Sequence, residues 1–283
     1  MSGVAVVTDT TQYVPAELIE ANGIKLVSLY VNWPDGQQRE SELGSFDAFY
    51  DRLRTAKELP TTSQPSVGDF LAVYEPLLAQ GYDVVSLHLS GGISGTVESA
   101  RQAASHVGAG RIHVVDSATA CGGLGLMALA AAAGARAGEG VEACVARARQ
   151  AREALKLWFA IDTFEFLVRG GRIGKAQAMV GSALKIKPIL SVESEIVPVE
   201  RVRTSARAFD RMVELLRSLH ADGADAWVVQ HIQAHEQAER LVDAGREIYG
   251  TEPAFVSEIG PVIGAHIGPG LLGAGAVPGS LLR

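Results

Sequence analysis

Cysteine is nearly absent. Cys121 and Cys144 are the only two in 283 residues, which excludes a disulfide framework and suits a reducing compartment. Neither has a metal-ligand spacing around it, no acidic cluster offers one, and no metal site or cofactor is expected. Basic residues are also in the minority: 25 Lys and Arg against 32 Asp and Glu leave a net charge of -7. Proteins that track phosphate backbones or anionic membranes need clustered Lys and Arg, so no nucleic-acid role is expected and any anion must be held locally. No apolar run reaches membrane-spanning length, and the Ala-rich stretch from Gly122 to Arg136 is too short and too small. The start, Met1-Ser2-Gly3-Val4, lacks the basic and apolar regions of a signal peptide, which gives the expectation of a soluble, cytoplasmic protein. There is no glycine-rich loop followed by Lys-Ser or Lys-Thr, hence no reason to give this chain its own ATP site.

What is present is a globular composition, 47% hydrophobic and 20% charged with 31 glycines. The length accommodates one large α/β domain or two modest ones. Short unalternating apolar runs, Val4 to Thr8, Tyr82 to Leu89 and Arg111 to Val115, have the character of buried parallel strands, and Ile24 to Val31 reads as a further strand. Three of these strands end in Asp, Ser or Thr before a helix begins, which is the pattern of a doubly wound sheet with a ligand crevice along one edge. The densest such tip is Ser90-Gly91-Gly92-Ile93-Ser94-Gly95-Thr96. Its glycines leave amide N–H groups unblocked and a helix start adds a positive dipole end, so the junction favours holding an anion. Ser94 or Thr96 can cap that helix and lend a hydroxyl to the bound group. In Pro60-Thr61-Thr62-Ser63-Gln64-Pro65-Ser66 the prolines keep the chain extended and hydroxyls cluster. Ser66 there is placed to cap the next helix.

From Lys156 the pattern changes. Leu157 to Ile161, Lys185 to Val192 and Glu195 to Val199 read as strands, the last two antiparallel, and Ala226 to His231 and Ala254 to Ile259 bracket a helix. The expected architecture is therefore α/β with two domains. Residues 1–155 form a Rossmann-like domain around a doubly wound, mostly parallel sheet, and residues 156–283 form a domain with a mixed, partly antiparallel sheet. Gly170-Gly171 fixes Arg172 in a loop, where it forms either a surface ion pair or a carboxylate or phosphate contact. Arg201, Arg203 and Arg207 cluster further on. His266 precedes Gly268-Pro269-Gly270, a rigid turn that fixes its direction, and beside an anion its charged form would be favoured.

Taken together, Val7 to Thr11, Thr62 to Ser66, Ser90 to Thr96, Gly170 to Ile173, Leu184 to Pro188 and His266 to Gly270 resemble the DegV family over essentially the whole chain. Each motif is weak alone, whereas six in the family's order and spacing are specific. The resemblance implies two-domain α/β proteins that bind a long-chain fatty acid between the domains. Several act as the fatty-acid-binding subunit, FakB, of bacterial fatty acid kinase, presenting the carboxylate to a separate ATP-dependent subunit that makes acyl phosphate. It implies a carboxylate site at Thr62, Ser94 with Gly95, and His266, and a role with the kinase partner for Arg172 and Arg203. It implies a binding subunit and not an enzyme, with transient membrane contact compatible with that role. Thr10 stands where the family usually has serine, and Gly91 replaces the second serine of its Ser-Ser-Gly, which removes a hydroxyl near the expected head group. Burial of a tail at roughly 0.8 kcal/mol per CH₂ would supply most of the affinity, with the polar site fixing orientation. Gly122, Gly123, Gly125, Ala128 and Gly181 are candidate tunnel walls. Two other readings stay open: a serine hydrolase with Ser94 as nucleophile and His266 as base, and a sugar-phosphate or nucleotide binder using the same glycine loop.

Overall fold

The computed structural model describes residues 3–108, 110–180 and 186–283. Gly181, Leu184 and Lys185, singled out above, lie outside them. The first strands and helices are Val4–Asp9 (β1), Ala16–Ala21 (α1), Lys25–Val27 (β2), Tyr30–Trp33 (β3), Gly36–Arg39 (β4), Asp47–Thr55 (α2), Thr61–Ser63 (β5) and Val67–Ala79 (α3). They are followed by Asp83–His88 (β6), Thr96–Val107 (α4), Ile112–Asp116 (β7), Gly122–Arg136 (α5) and Val141–Ala154 (α6). A parallel sheet has the order β2-β1-β6-β7. Strand alternation sends Ala5 and Val7 to one face, where they pack with Phe70 and Tyr74 of α3 and Ala100 and Ala103 of α4. Val6 and Val85 face the other way, into the cluster that holds Leu124 and Ala128 of α5. Helices on both faces make this sheet doubly wound, as expected. At the head of α3 the Ser66 hydroxyl accepts from the Asp69 N–H and the Asp69 carboxylate accepts from the Ser66 N–H, a complete capping box.

The single strand expected over Ile24 to Val31 is two strands in different sheets. Residues 25–27 pair with β1, whereas β3 joins an antiparallel sheet of order β4-β3-β5. The break falls at Ser28-Leu29 because polar side chains and a neighbouring backbone capture these groups: the Leu29 N–H donates to Thr10 Oγ1 at 3.3 Å, the Ser28 hydroxyl accepts from the Ser41 N–H, and the Leu29 carbonyl accepts from Glu40.

The second half supplies Lys156–Ala160 (β8), Glu165–Arg169 (α7), Lys187–Glu193 (β9), Glu195–Val202 (β10), Ser205–Ala221 (α8) and Ala226–Ile232 (β11). His235–Tyr249 (α9), Phe255–Glu258 (β12), Pro261–Ile267 (α10) and Leu271–Val277 (β13) complete it. The mixed sheet has the order β10-β9-β8-β13-β11-β12, with only β11 and β12 parallel. Helices α8 and α9 cover one face through Met212, Leu216 and Leu241 against Trp227, Val229 and Ala274. On the other face Phe159, Leu190 and Val228 join the cluster that contains α5. Helix α5 thus touches β1 and β6 as well as β11 and β13, and residues 122–134 are all buried. A helix apolar all round belongs between layers, and its Gly and Ala content is what lets both layers approach.

Strand β13 sits at the centre of the mixed sheet, yet its sequence, Leu-Leu-Gly-Ala-Gly-Ala-Val, carries no strand signal. The glycines answer a steric demand from β8. A Cβ on Gly275 would lie 2.9 Å from the Lys156 carbonyl oxygen and 3.0 Å from Leu157 Cβ. Gly275→Val should therefore destabilise the protein by about 1 to 3 kcal/mol in urea unfolding at neutral pH, through a shifted strand pair.

Candidate functional site

A cavity of about 390 Å³ opens between the carboxyl edge of the parallel sheet and the face of the mixed sheet. One wall comes from residues just past β2, β6 and β7, namely Leu29, Leu89, Ile93 and Ala120 with Cys121. Opposite lie Phe159 of β8, Val228 of β11 and Leu271 and Gly273 of β13, and α10 contributes Val262, Ile263 and Ile267. Most of the surface is apolar. Its polar residues are Thr62, Ser63, Gln64, Ser94, His266, Arg172 and Gln230, and Gln230 is occupied elsewhere, accepting from the Gly122 N–H and donating to Ser257.

The remaining polar groups cluster because their elements meet. Thr62 is held in β5 by pairing with Val31, and its Oγ1 lies 2.7 Å from His266 Nε2. Ser94 sits before α4, with its Oγ 2.9 Å from Thr96 Oγ1 and accepting from the Thr96 N–H. The residue at the cap position is Gly95, neither Ser94 nor Thr96 as expected. A Cβ on Gly95 would displace the end of the Gln64 side chain, which donates to Ser99. Arg172 also lines the cavity and donates to the Gly170 carbonyl at 2.8 Å. Thr62, Ser94, Gly95, His266 and Arg172 therefore surround one space. Arg203 does not line it; it is exposed just beyond β10.

His266 lies in the last turn of α10, a helix that the sequence reading did not place. The start of this helix is held by Glu40, whose Oε1 accepts from the Tyr13 hydroxyl and the Val262 N–H, both at 2.8 Å, while the Tyr13 hydroxyl accepts from the Ile263 N–H. Burial raises the Glu40 carboxyl to about 7. The Tyr50 hydroxyl adds a bond to the Ile259 carbonyl at 2.6 Å. At the other end, Gly268 and Gly270 have φ of +77° and +94°, so the turn expected to fix His266 does need glycine at both places.

Without an anion beside it, the His266 imidazole is held in its neutral form. Burial, followed by the nearby Arg172 charge, lowers its pKa to about 4. Its Nδ1 is buried without a hydrogen-bond partner and lies against Gly170, where a Cβ would not fit. The proposed tunnel walls Gly122, Gly123, Gly125 and Ala128 are not in the cavity lining. They serve helix packing instead, Gly123 against Thr119 and Leu155 and Gly125 against Val14. Gly91 is likewise away from the cavity, its N–H donating to Asp116, and Thr10 supports Leu29. A side chain at position 91 would meet the Asp116 carboxylate.

A second constellation has the composition of a hydrolase triad. His88 lies between Asp9, at 3.1 Å, and Ser86, at 2.7 Å, and Ser86 continues to the Tyr74 hydroxyl. All four side chains are fully buried, with no access for a substrate, and Asp9 also accepts from the Leu89 N–H. The network ties β1 to β6.

Residues 3–279 match the family model described as "Uncharacterised protein, DegV family". The chain belongs to the DegV family. It is 37% identical over 274 residues to Protein DegV of Bacillus subtilis, covering 95% of this chain and 97% of that one. A DegV domain-containing protein of Streptomyces coelicolor is 40% identical over 274 residues, covering 95% and 96%. Among solved structures, DegV of Bacillus subtilis, described as a fatty acid binding protein, superposes with a TM-score of 0.89 at 36% identity, covering 98% of this chain and 100% of that one. A DegV family protein from Thermus thermophilus, described by its fatty acid binding, gives 0.88 at 34% identity, covering 97% and 99%.

The depressed His266 fixes the sign of a pH effect. The unfolded chain takes up a proton near pH 6.5 that the folded protein takes up only near 4, so stability is full above about 6.5 and lost as pH falls toward 4. Glu40, raised to about 7, moves stability the opposite way over the same range, so the His266 contribution is read as a difference between variants. Between pH 7 and pH 4.5 in urea unfolding, the wild-type chain should lose more stability, or gain less, than His266→Gln, by on the order of 3 kcal/mol at the limit.

Proposed function

We propose that this DegV family protein binds a long-chain fatty acid in its apolar cavity, between residues 1–155 and 156–283, with the carboxylate at Thr62, Ser94, Gly95 and His266. The observation that carries the reading is the joining of a largely apolar cavity to one cluster of hydroxyls, an imidazole and a helix start. Its volume is within the ~300–1,000 Å³ of small-molecule sites. A dozen buried methylenes contribute on the order of 10 kcal/mol before the costs of association, while each charge-assisted hydrogen bond adds about 1.5 to 3 kcal/mol. The fatty acid binding described for the Bacillus and Thermus structures supports the same ligand class.

In the fuller form of the proposal the bound acid is presented to a separate ATP-dependent kinase subunit that forms acyl phosphate. Arg172, at the cavity, neutralises charge during transfer, and Arg203, on the exposed surface, contacts the partner. The chain itself then performs no chemistry. A hydrolase is less well supported, because His266 is engaged with Thr62 and not with Ser94, and its other ring nitrogen has no carboxylate to orient it.

Displacement of a fluorescent fatty acid tests the binding reading. Palmitate should compete and glucose 6-phosphate should not, and Thr62→Val and Ser94→Ala should weaken palmitate roughly ten- to hundredfold. Competition by the sugar phosphate, or fluorophosphonate labelling that vanishes in Ser94→Ala, would transfer support to the other readings. Arg172→Ala should retain lipid while losing acyl phosphate formation with the kinase subunit; full coupling in that variant would remove the role given to Arg172.

A further inference from the structure

A second set of chemistry-bearing side chains lies outside the cavity lining, where β11 and β12 end side by side. His231 is the penultimate residue of strand β11, His235 opens α9, and Glu258 closes β12, whose pairing sets Glu258 opposite His231. A ring nitrogen of each histidine and a carboxylate oxygen of Glu258 lie within 4.8 Å of one another, and the two rings are 4.5 Å apart between centroids. His235 Nε2 is 3.9 Å from Glu258 Oε1.

We propose that His231, His235 and Glu258 form a binding site for one divalent first-row transition metal ion. Two imidazoles and a carboxylate are a donor set such ions accept, with water completing a tetrahedron. Zn–N and Zn–O bonds of about 2.0 to 2.2 Å place ligand atoms roughly 3.4 Å apart, so the present triangle has to contract modestly. His235 can supply that movement, because its side chain is 63% exposed.

The other two ligands are already held. Glu258 Oε1 accepts from the Gln233 N–H at 3.1 Å and from its Nε2 at 2.8 Å, and Gln233 is itself fixed by Arg54 and Asp47. Such outer contacts orient a ligating carboxylate. His231 is buried, and its Nδ1 accepts a long hydrogen bond from the Ala234 N–H at 3.4 Å, readily exchanged for a metal bond. In the adjoining hollow Arg246 is paired with Asp243 and Glu252. Sequence spacing hides the site because its ligands come from three elements.

The test uses the untagged full chain, stripped with chelator and titrated with Zn²⁺ against a chromophoric chelator at pH 7.5. One equivalent should bind with a Kd in the micromolar range or below, and Co²⁺ should give the intense visible bands of a four-coordinate site. His235→Ala and Glu258→Gln should each weaken Zn²⁺ at least tenfold with unchanged metal-free melting, the exposed His235 making loss of fold no explanation. His113→Ala, beside Glu142 elsewhere on the surface, should bind as wild type. Binding well below one equivalent, or wild-type affinity in His235→Ala, overturns the proposal.

Discussion

Burial of α5 on every side sets the spacing between the parallel and the mixed sheet, and the cavity follows from that spacing. The helix begins at Cys121, which lines the cavity, and its buried Gly and Ala residues pack against β1 and β6 on one side and β11 and β13 on the other. Bulkier side chains here would separate the layers, because interiors packed to crystal-like density have no slack to absorb them. Where α5 stops filling the gap, beyond its amino end, the space passes to the cavity. Its floor is the small-residue strand β13, and its polar border is made by loops and by α10.

The position of that border depends on buried polar groups acting through backbone. Glu40 and Tyr13 grip the first N–H groups of α10, Tyr50 grips the carbonyl just before it, and the helix then delivers His266 to Thr62. Stiffness of this kind suits a site whose affinity comes mainly from a buried tail. A short polar cluster held in one geometry sets direction, and a long apolar surface supplies energy.

Much of this was legible in the chain. The β-branched runs at Val4 to Thr8 and Tyr82 to Leu89 lie where a parallel sheet needs them, and the Ser66 cap and the glycine pair at 268 and 270 could be read from local chemistry alone. Strand β13 could not. Its glycines lower strand propensity and are there because β8 comes too close for a side chain, a fact about a partner over a hundred residues away. Glu40 was equally hidden: it lies in the polar run Gln37 to Glu42, which has the composition of solvated surface, yet it is 3% exposed and anchors a helix more than two hundred residues later. The glycines of α5 were legible as small but not as packing residues, since a tunnel wall and a tight helix contact ask for the same side chain.

The central claim is that an acyl chain fills the space between the two sheets with its charged end among Thr62, Ser94 and His266. Denaturing extraction of the purified protein followed by mass spectrometry tests it most directly. The account predicts close to one fatty acid per chain from a bacterial host, falling in Thr62→Val. Protein that is folded and yet carries no lipid, and takes none up when offered palmitate, would contradict it.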